Sequence, residues 1–167
     1  MILLAIDPSG SFNEGQGTSG WVVMRDDDIL AVGQLRAQDY TTRQEYWASH
    51  KKLIEKVQPT DVVFEEFRLY KTKAKSQINS EMETSKLLGY IEMICYEKEI
   101  VFDTQLARTA KHRWKDNILV HKDYINKTDS GRCFINNVQV SGHIVDALRH
   151  ALHYRLKHKK TKEKLKC

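Results

Sequence analysis

No apolar stretch in this sequence approaches the roughly 20 residues that a membrane-spanning helix needs, so no spanning segment is expected. Cysteine is scarce as well. Cys95, Cys133 and Cys167 share no short metal-type spacing and make an odd count, which argues for ordinary thiols in a reducing compartment. Cys95 falls within an apolar helical pattern and is expected in the core. The N-terminus, Met1-Ile2-Leu3-Leu4-Ala5-Ile6-Asp7, meets an acid too early for a secretory signal, so the chain is expected in the cytoplasm. Internal repeats are absent, and low complexity is confined to the C-terminal tail. What remains is 167 residues with an apolar fraction of 41%, enough for one folded α/β domain with a real core.

The formal net charge is +5, and its placement matters more than its size. Residues 157–167 carry six lysines (157, 159, 160, 162, 164 and 166) against Glu163, a local +5 that accounts for the whole excess. Residues 1–156 are therefore expected to form the domain and 157–167 a basic tail. Such a tail attracts polyanions by neutralising phosphates and releasing counterions. It serves equally well as a solvated extension that aids solubility.

The apolar run ending at Asp7-Pro8 predicts a buried strand that stops at the acid. Ser9 to Gly20 reads as a Gly/Ser-rich turn or loop. Strands are expected over Trp21–Met24 and Ile29–Leu35, with a turn at Asp26-Asp27-Asp28, which makes an antiparallel meander. Thr41 and Gln44 suggest a capping box ahead of a helix through Tyr46, Trp47, His50, Leu53, Ile54 and Val57, which Pro59 ends. Asp61–Glu65 is a short buried strand, 76–97 a long helix, and Ile100–Phe102 another strand. Thr104 is expected to cap a helix toward Trp114. Residues 116–142 are the least legible, with a turn at Asp129-Ser130-Gly131 between two mildly apolar runs. A last helix runs from about His143 to Lys157. The order gives a mixed sheet, three antiparallel strands plus parallel ones, flanked by helices.

Three acids stand out by position. Asp7 and Glu65 fall at the carboxyl ends of strands, where α/β sheets assemble their sites. Asp146 lies near the start of the last helix, three residues after His143. At about 100° per residue, His143, Asp146, His150 and His153 share one face, and Ile144, Val145, Leu148, Ala151 and Leu152 the opposite one. The first turn alone is expected to reach the strand ends, with His150 and His153 further along the axis.

Clustered carboxylates raise one another's pKa values unless a cation offsets them. Oxygen ligands with one imidazole suit Mg²⁺ or Mn²⁺, and two such ions roughly 4 Å apart activate a water and stabilise the leaving oxygen of a phosphodiester. Each residue also has an ordinary explanation. Asp7 suits a turn before Pro8, and Glu65 or Glu66 a solvated strand end. His143 suits a hydrated helix start, and Asp146 the helix dipole. Spacing alone supports a candidate metal site and no more.

Taken together, the motifs resemble the RuvC family of Holliday-junction resolvases, within the RNase H-like nucleases. The resemblance rests on Leu4-Ala5-Ile6-Asp7-Pro8-Ser9 with Gly20-Trp21-Val22-Val23, on Val62-Val63-Phe64-Glu65-Glu66-Phe67, on Lys86-Leu87-Leu88-Gly89, and on His143-Ile144-Val145-Asp146-Ala147-Leu148. It spans most of the chain and is nearest in character to the small resolvases encoded by bacteriophages, which would place the chain in the host-cell cytoplasm. It implies an RNase H-like fold and four catalytic, metal-binding side chains, Asp7, Glu65, His143 and Asp146. These would hold Mg²⁺, with Mn²⁺ substituting, as two ions per site. Many members carry aspartate where this chain has His143, which removes one negative charge and softens the preference toward Mn²⁺. Glu66 is the fallback for Glu65, on the other face of its strand.

The resemblance further implies a two-fold symmetric homodimer whose two sites nick opposing strands of a four-way junction, leaving 5′-phosphate and 3′-hydroxyl ends. Forks and flaps are expected as further branched substrates. An aromatic shortly after the glutamate probes the junction centre in better-known members. Here Arg68 takes that offset, with Phe67 and Tyr70 beside it. Lys71, Lys73 and Lys75, and a second patch with Arg108 and Lys111, are candidate DNA contacts. The alternatives are an RNA–DNA hybrid nuclease, a transposase-like enzyme, and a non-catalytic binder of branched DNA. The opening strand, acid and Gly-rich turn also resemble the actin-like ATPase fold, but that fold needs two such domains and this chain is too short.

Overall fold

A computed structural model of the chain describes residues 1–12, 17–67 and 82–164, with side chains described as far as Lys159. Strands β1 (Ile2–Asp7), β2 (Thr18–Arg25) and β3 (Asp28–Arg36) form the expected meander. Helix α1 (Arg43–Val57) leads into β4 (Asp61–Glu65). Helix α2 (Glu83–Glu97) leads into β5 (Val101–Gln105). The five strands order as β3-β2-β1-β4-β5, with β1–β2 and β2–β3 antiparallel and β1–β4 and β4–β5 parallel. Then come α3 (Ala107–Arg113), α4 (Asp116–His121), a small antiparallel sheet of β6 (Asn126–Lys127), β7 (Cys133–Ile135) and β8 (Val138–Val140), and α5 (Gly142–Lys164).

Side-chain alternation assigns the two faces of the sheet. Leu4, Ile6, Val62 and Phe64 pack with Leu53, Ile54, Leu87, Ile91 and Cys95 from α1 and α2. Leu3, Ala5, Val22, Met24 and Val63 pack with Ile144, Val145, Leu148, Ala151 and Leu152 of α5. The apolar face read for the last helix is thus the one it buries. The same parity carries Asp7, two residues past Ala5, and Glu65, two past Val63, toward α5.

Several boundaries differ from expectation. The capping box is one residue later: Thr42 Oγ1 accepts from the Glu45 amide at 3.2 Å, and the Glu45 carboxylate accepts from the Thr42 amide at 3.0 Å. Gln58, in the left-handed region, closes α1 before Pro59. Thr104 lies inside β5, and α3 starts after Leu106 with no side-chain cap, because pairing with β4 extends that strand to Gln105. The described part of the long helix begins at Glu83, after a left-handed Met82, and 76–81 lie outside the described residues. Thr18–Gly20, read as loop, belong to β2.

Residues 116–142 supply a short helix and three strands. Leu119, Ile125, Ile135 and Val140 from this stretch are buried in the α5-side core. Its β7–β8 hairpin turns through Asn136 and Asn137, both at positive φ, as a two-residue hairpin favours. The last helix runs on to Lys164, beyond its expected end. Lys157 pairs with Asp103 at 3.3 Å, and Lys159 with Asp27 at 2.9 Å. Among the described residues no helix is long and apolar enough to cross a membrane.

Candidate functional site

The β1–β4 register, Ile6 opposite Phe64, sets Asp7 and Glu65 side by side at the carboxyl ends of two central parallel strands. Both face α5, Asp7 at its start. There His143 Nδ1 lies 2.7 Å from Asp7 Oδ2. One residue makes this approach feasible. Gly20 pairs with Asp7 across β1–β2, and a Cβ there would stand 2.2 Å from the His143 carbonyl carbon and 2.5 Å from the Ile144 nitrogen. Only a residue without a side chain lets the helix start lie so close to the strand.

The loop after Asp7 is anchored from the other face of the sheet. The Ser9 amide donates to Ser19 Oγ at 3.0 Å, and the Tyr46 hydroxyl donates to the Ser9 carbonyl at 2.7 Å. The fully buried His50 completes the anchor. Its Nδ1 faces the Tyr46 carbonyl at 3.1 Å and so carries the proton, leaving Nε2 to accept from Ser19 Oγ at 2.9 Å. Burial holds this ring down to about 4, against two helix-carbonyl bonds that favour its charge.

The charges at the strand ends act on one another. Burial lifts the Asp7 carboxyl above its ordinary value. The His143 bond opposes that lift, and the Glu65 and Asp146 charges add to it. His143 is raised in turn, chiefly by its bond to Asp7, with burial opposing. Asp146 is held by cations: Lys111 Nζ lies 2.8 Å from Oδ2, and Arg149 bonds Oδ1 while also bonding Asp116 and the Trp114 carbonyl. Burial works against the Lys111 charge. The Asp146 carboxylate bonded to it, with Glu65 and Asp7 behind, outweighs that and raises it.

Asp7 thus bonds His143, with Glu65 on the adjacent strand end and Asp146 one helical turn on, both near enough for their charges to act on Asp7. Among the described residues, no three His, Cys, Asp or Glu side chains stand ready as a metal cage. The donor set nevertheless fits a hard divalent cation, being three carboxylates and one imidazole with an Asp7 carboxyl pushed up by its neighbours. Part of what a cation would supply comes here from Lys111 and Arg149.

The expected nucleic-acid contacts fall differently. Phe67 is half-buried and packs against the α1–α2 side of the core. Arg108 is exposed on α3, one turn from Lys111. Arg68, Tyr70, Lys71, Lys73 and Lys75 lie outside the described residues. Glu66 extends the β4–β5 ladder through its amide, bonded to the Gln105 carbonyl at 2.8 Å.

One expectation is overturned. His150 does reach the strand ends: it is fully buried, with Nε2 3.3 Å from Glu65 Oε2 and Nδ1 3.1 Å from Gln105 Oε1. Helix α5 packs on β2, β1 and β4, so it crosses the sheet rather than leaving it. Seven residues, about 10 Å of helix rise, carry it from Asp7 on β1 to Glu65 on β4. The shared helical face of His143 and His150 was the signal, and the crossing direction was the missing piece. Arg149 and Gln105 carried no comparable signal.

This sheet order, with α5 across one face and α1 and α2 across the other, is the RNase H-like fold. No protein-family model matches the chain, and no curated protein matches it. Solved structures do. The chain is similar to Thermus thermophilus RuvC in complex with a Holliday junction substrate, at 16% identity and TM-score 0.67 over 96% of this chain and 97% of that one. A second Thermus thermophilus RuvC structure gives 15% identity and TM-score 0.62 over 96% and 98%. The Fowlpox virus resolvase in complex with Holliday junction DNA gives 12% identity and TM-score 0.51 over 94% and 98%. In fold, the chain is RuvC-like.

Proposed function

We propose that the chain is a structure-selective endonuclease that resolves Holliday junctions by paired, divalent-metal-dependent nicks, and that it acts on forks and flaps as well. The observation that carries this reading is the Asp7–Glu65 pair at adjacent strand ends, met by His143 and Asp146 from α5, in a fold shared with junction-bound resolvases. Asp7, Glu65, His143 and Asp146 are the proposed ligands of two Mg²⁺ ions, with Mn²⁺ able to substitute. When bound, the metal lowers the pKa of a water and offsets charge on the leaving oxygen.

The chain's own groups do the rest. The His143 ring bonds one Asp7 oxygen, Oδ2. Lys111 and Arg149 compensate the Asp146 charge, and Lys111, exposed on α3, would be placed to meet a phosphate of the bound DNA. Arg108 extends that patch on α3. Lys71, Lys73 and Lys75 are proposed as further phosphate contacts, with Arg68, Tyr70 and Phe67 beside the junction and the basic C-terminal residues beyond the core adding sequence-independent attraction. A homodimer presents two such sites to opposing strands, and each nick leaves a 5′-phosphate and a 3′-hydroxyl.

The test is cleavage of a four-way junction, a linear duplex and an RNA–DNA hybrid by the purified protein in Mg²⁺, Mn²⁺ or Ca²⁺. Paired junction nicks with Mg²⁺ or Mn²⁺, lost in Glu65→Gln, are the expected result. Tight junction binding without nicks in any metal would leave a binding protein, and preferential hybrid cleavage would leave a different RNase H-like nuclease.

A further inference from the structure

We propose that His150, backed by Gln105, is a positioning residue for Glu65; this deepens the nuclease reading above and rests on it. The β4–β5 register pairs Glu65 with Gln105, so neighbouring strands present both side chains to α5. Seven residues after His143, the helix places an imidazole against both.

Stability does not account for this ring. Its helix neighbours Ala147, Leu148, Ala151 and Tyr154 are all buried, so an apolar side chain at position 150 would continue the core. A buried polar ring costs free energy unless its nitrogens are bonded, and among the described residues its hydrogen-bond partners are Glu65 and Gln105.

The proton arrangement follows from the partners. A Glu65 carboxylate can only accept, so Nε2 must carry a proton toward it. In the neutral ring Nδ1 then accepts, which requires the Gln105 amide to present its nitrogen to the ring. Among the described residues Gln105 Nε2 is buried with no partner, and turning the amide over supplies that donor to the ring and leaves a carbonyl oxygen, a less demanding group than an N–H, in the unpartnered position. The chain then runs Gln105 N–H to His150 Nδ1, and His150 Nε2–H to Glu65 Oε2. One glutamate oxygen is tethered and the other is left for a cation. Support of this kind, behind a ligand, typically changes metal affinity or turnover 10–100-fold.

The experiment compares His150→Leu, His150→Gln, Gln105→Leu and Glu65→Gln with wild type. It measures Mn²⁺ affinity of the free protein by electron paramagnetic resonance, junction Kd without metal, single-turnover nicking and the urea midpoint. His150→Leu is expected to fold, to keep its junction Kd, and to lose about 10–100-fold in both Mn²⁺ affinity and nicking rate. His150→Gln, which restores an N–H near Nε2, recovers most of both. Gln105→Leu gives a smaller loss in each and tests the relay even if His150→Leu does not fold.

Wild-type Mn²⁺ affinity and nicking in His150→Leu, or in Gln105→Leu should the former not fold, overturns the proposal. So do equal losses in His150→Leu and His150→Gln, which would mark packing alone. If Glu65→Gln abolishes nicking while the His150 and Gln105 variants do not affect it, only this inference fails. If Glu65→Gln nicks normally, the nuclease site fails with it.

Discussion

Replacing Gly20 by alanine adds one methyl carbon at the tightest point of the site. The new Cβ would stand 2.2 Å from the His143 carbonyl carbon, 2.3 Å from its oxygen and 2.5 Å from the Ile144 nitrogen. These are backbone atoms, so no side chain can swing aside. Restoring ordinary contact requires β2 and the start of α5 to part by about 1 Å. Gly20 lies in regular strand pairing opposite Asp7 and Gln34, so the effect is steric and not one of backbone freedom. Overpacking of this kind costs about 1–3 kcal/mol.

The displacement acts directly on the 2.7 Å Asp7–His143 bond, and misplacing a catalytic constellation by 1 Å can cost on the order of 100-fold in rate. The assays are urea unfolding and single-turnover nicking of a four-way junction. Gly89→Ala is the internal contrast: a Cβ at Gly89, inside α2, meets nothing within 4 Å. It should stabilise the protein by about 0.5–1 kcal/mol through helix propensity alone. Wild-type stability and nicking in Gly20→Ala would refute the steric account of how α5 is seated.

Glu65→Gln should lower nicking by about 100-fold or more, the scale of losing a charge-stabilising group at a reacting centre, while metal-free junction binding persists. Stability should fall on acidification below neutrality because of His50. Its folded pKa of about 4 lies below the ordinary 6.5, so between those values the unfolded chain binds the extra proton. The contribution is fully present above pH 6.5 and is lost as pH falls toward 4, by about 3 kcal/mol. Urea midpoints across that range check it, and a pH-independent midpoint would count against a neutral buried ring. Thr42→Ala should cost about 1 kcal/mol by removing half of the α1 capping box, while Thr41→Ala should cost far less; equal effects would restore the earlier boundary.

The alternation of Leu3-Leu4-Ala5-Ile6 and Val62-Val63-Phe64, the 3.6-residue periods of α1 and α5, and the acids closing two strands were all legible in the sequence. They report local periodicity, which the chain imposes on itself. They sufficed for the sheet's composition, for the apolar face of the last helix, and for Asp7, Glu65, His143 and Asp146 as candidates. The small sheet was not legible, because strands of two or three residues carry no period and Asn136-Asn137 does not announce a hairpin as strongly as Asn-Gly does.

What the tertiary structure alone decided is direction and partnership. Whether α5 crosses the strand ends or leaves them depends on where it lies on the sheet, which helical spacing does not encode. That crossing turned His150 from a distant residue into a neighbour of Glu65. It also showed Asp146 between Lys111 and Arg149, and Gly20 as the point of closest approach between strand and helix. A sequence shows which face each side chain occupies, because that follows from bonds along the chain. Which faces meet depends on contacts between residues more than a hundred positions apart, such as Asp7 and His143, and only the folded chain makes them.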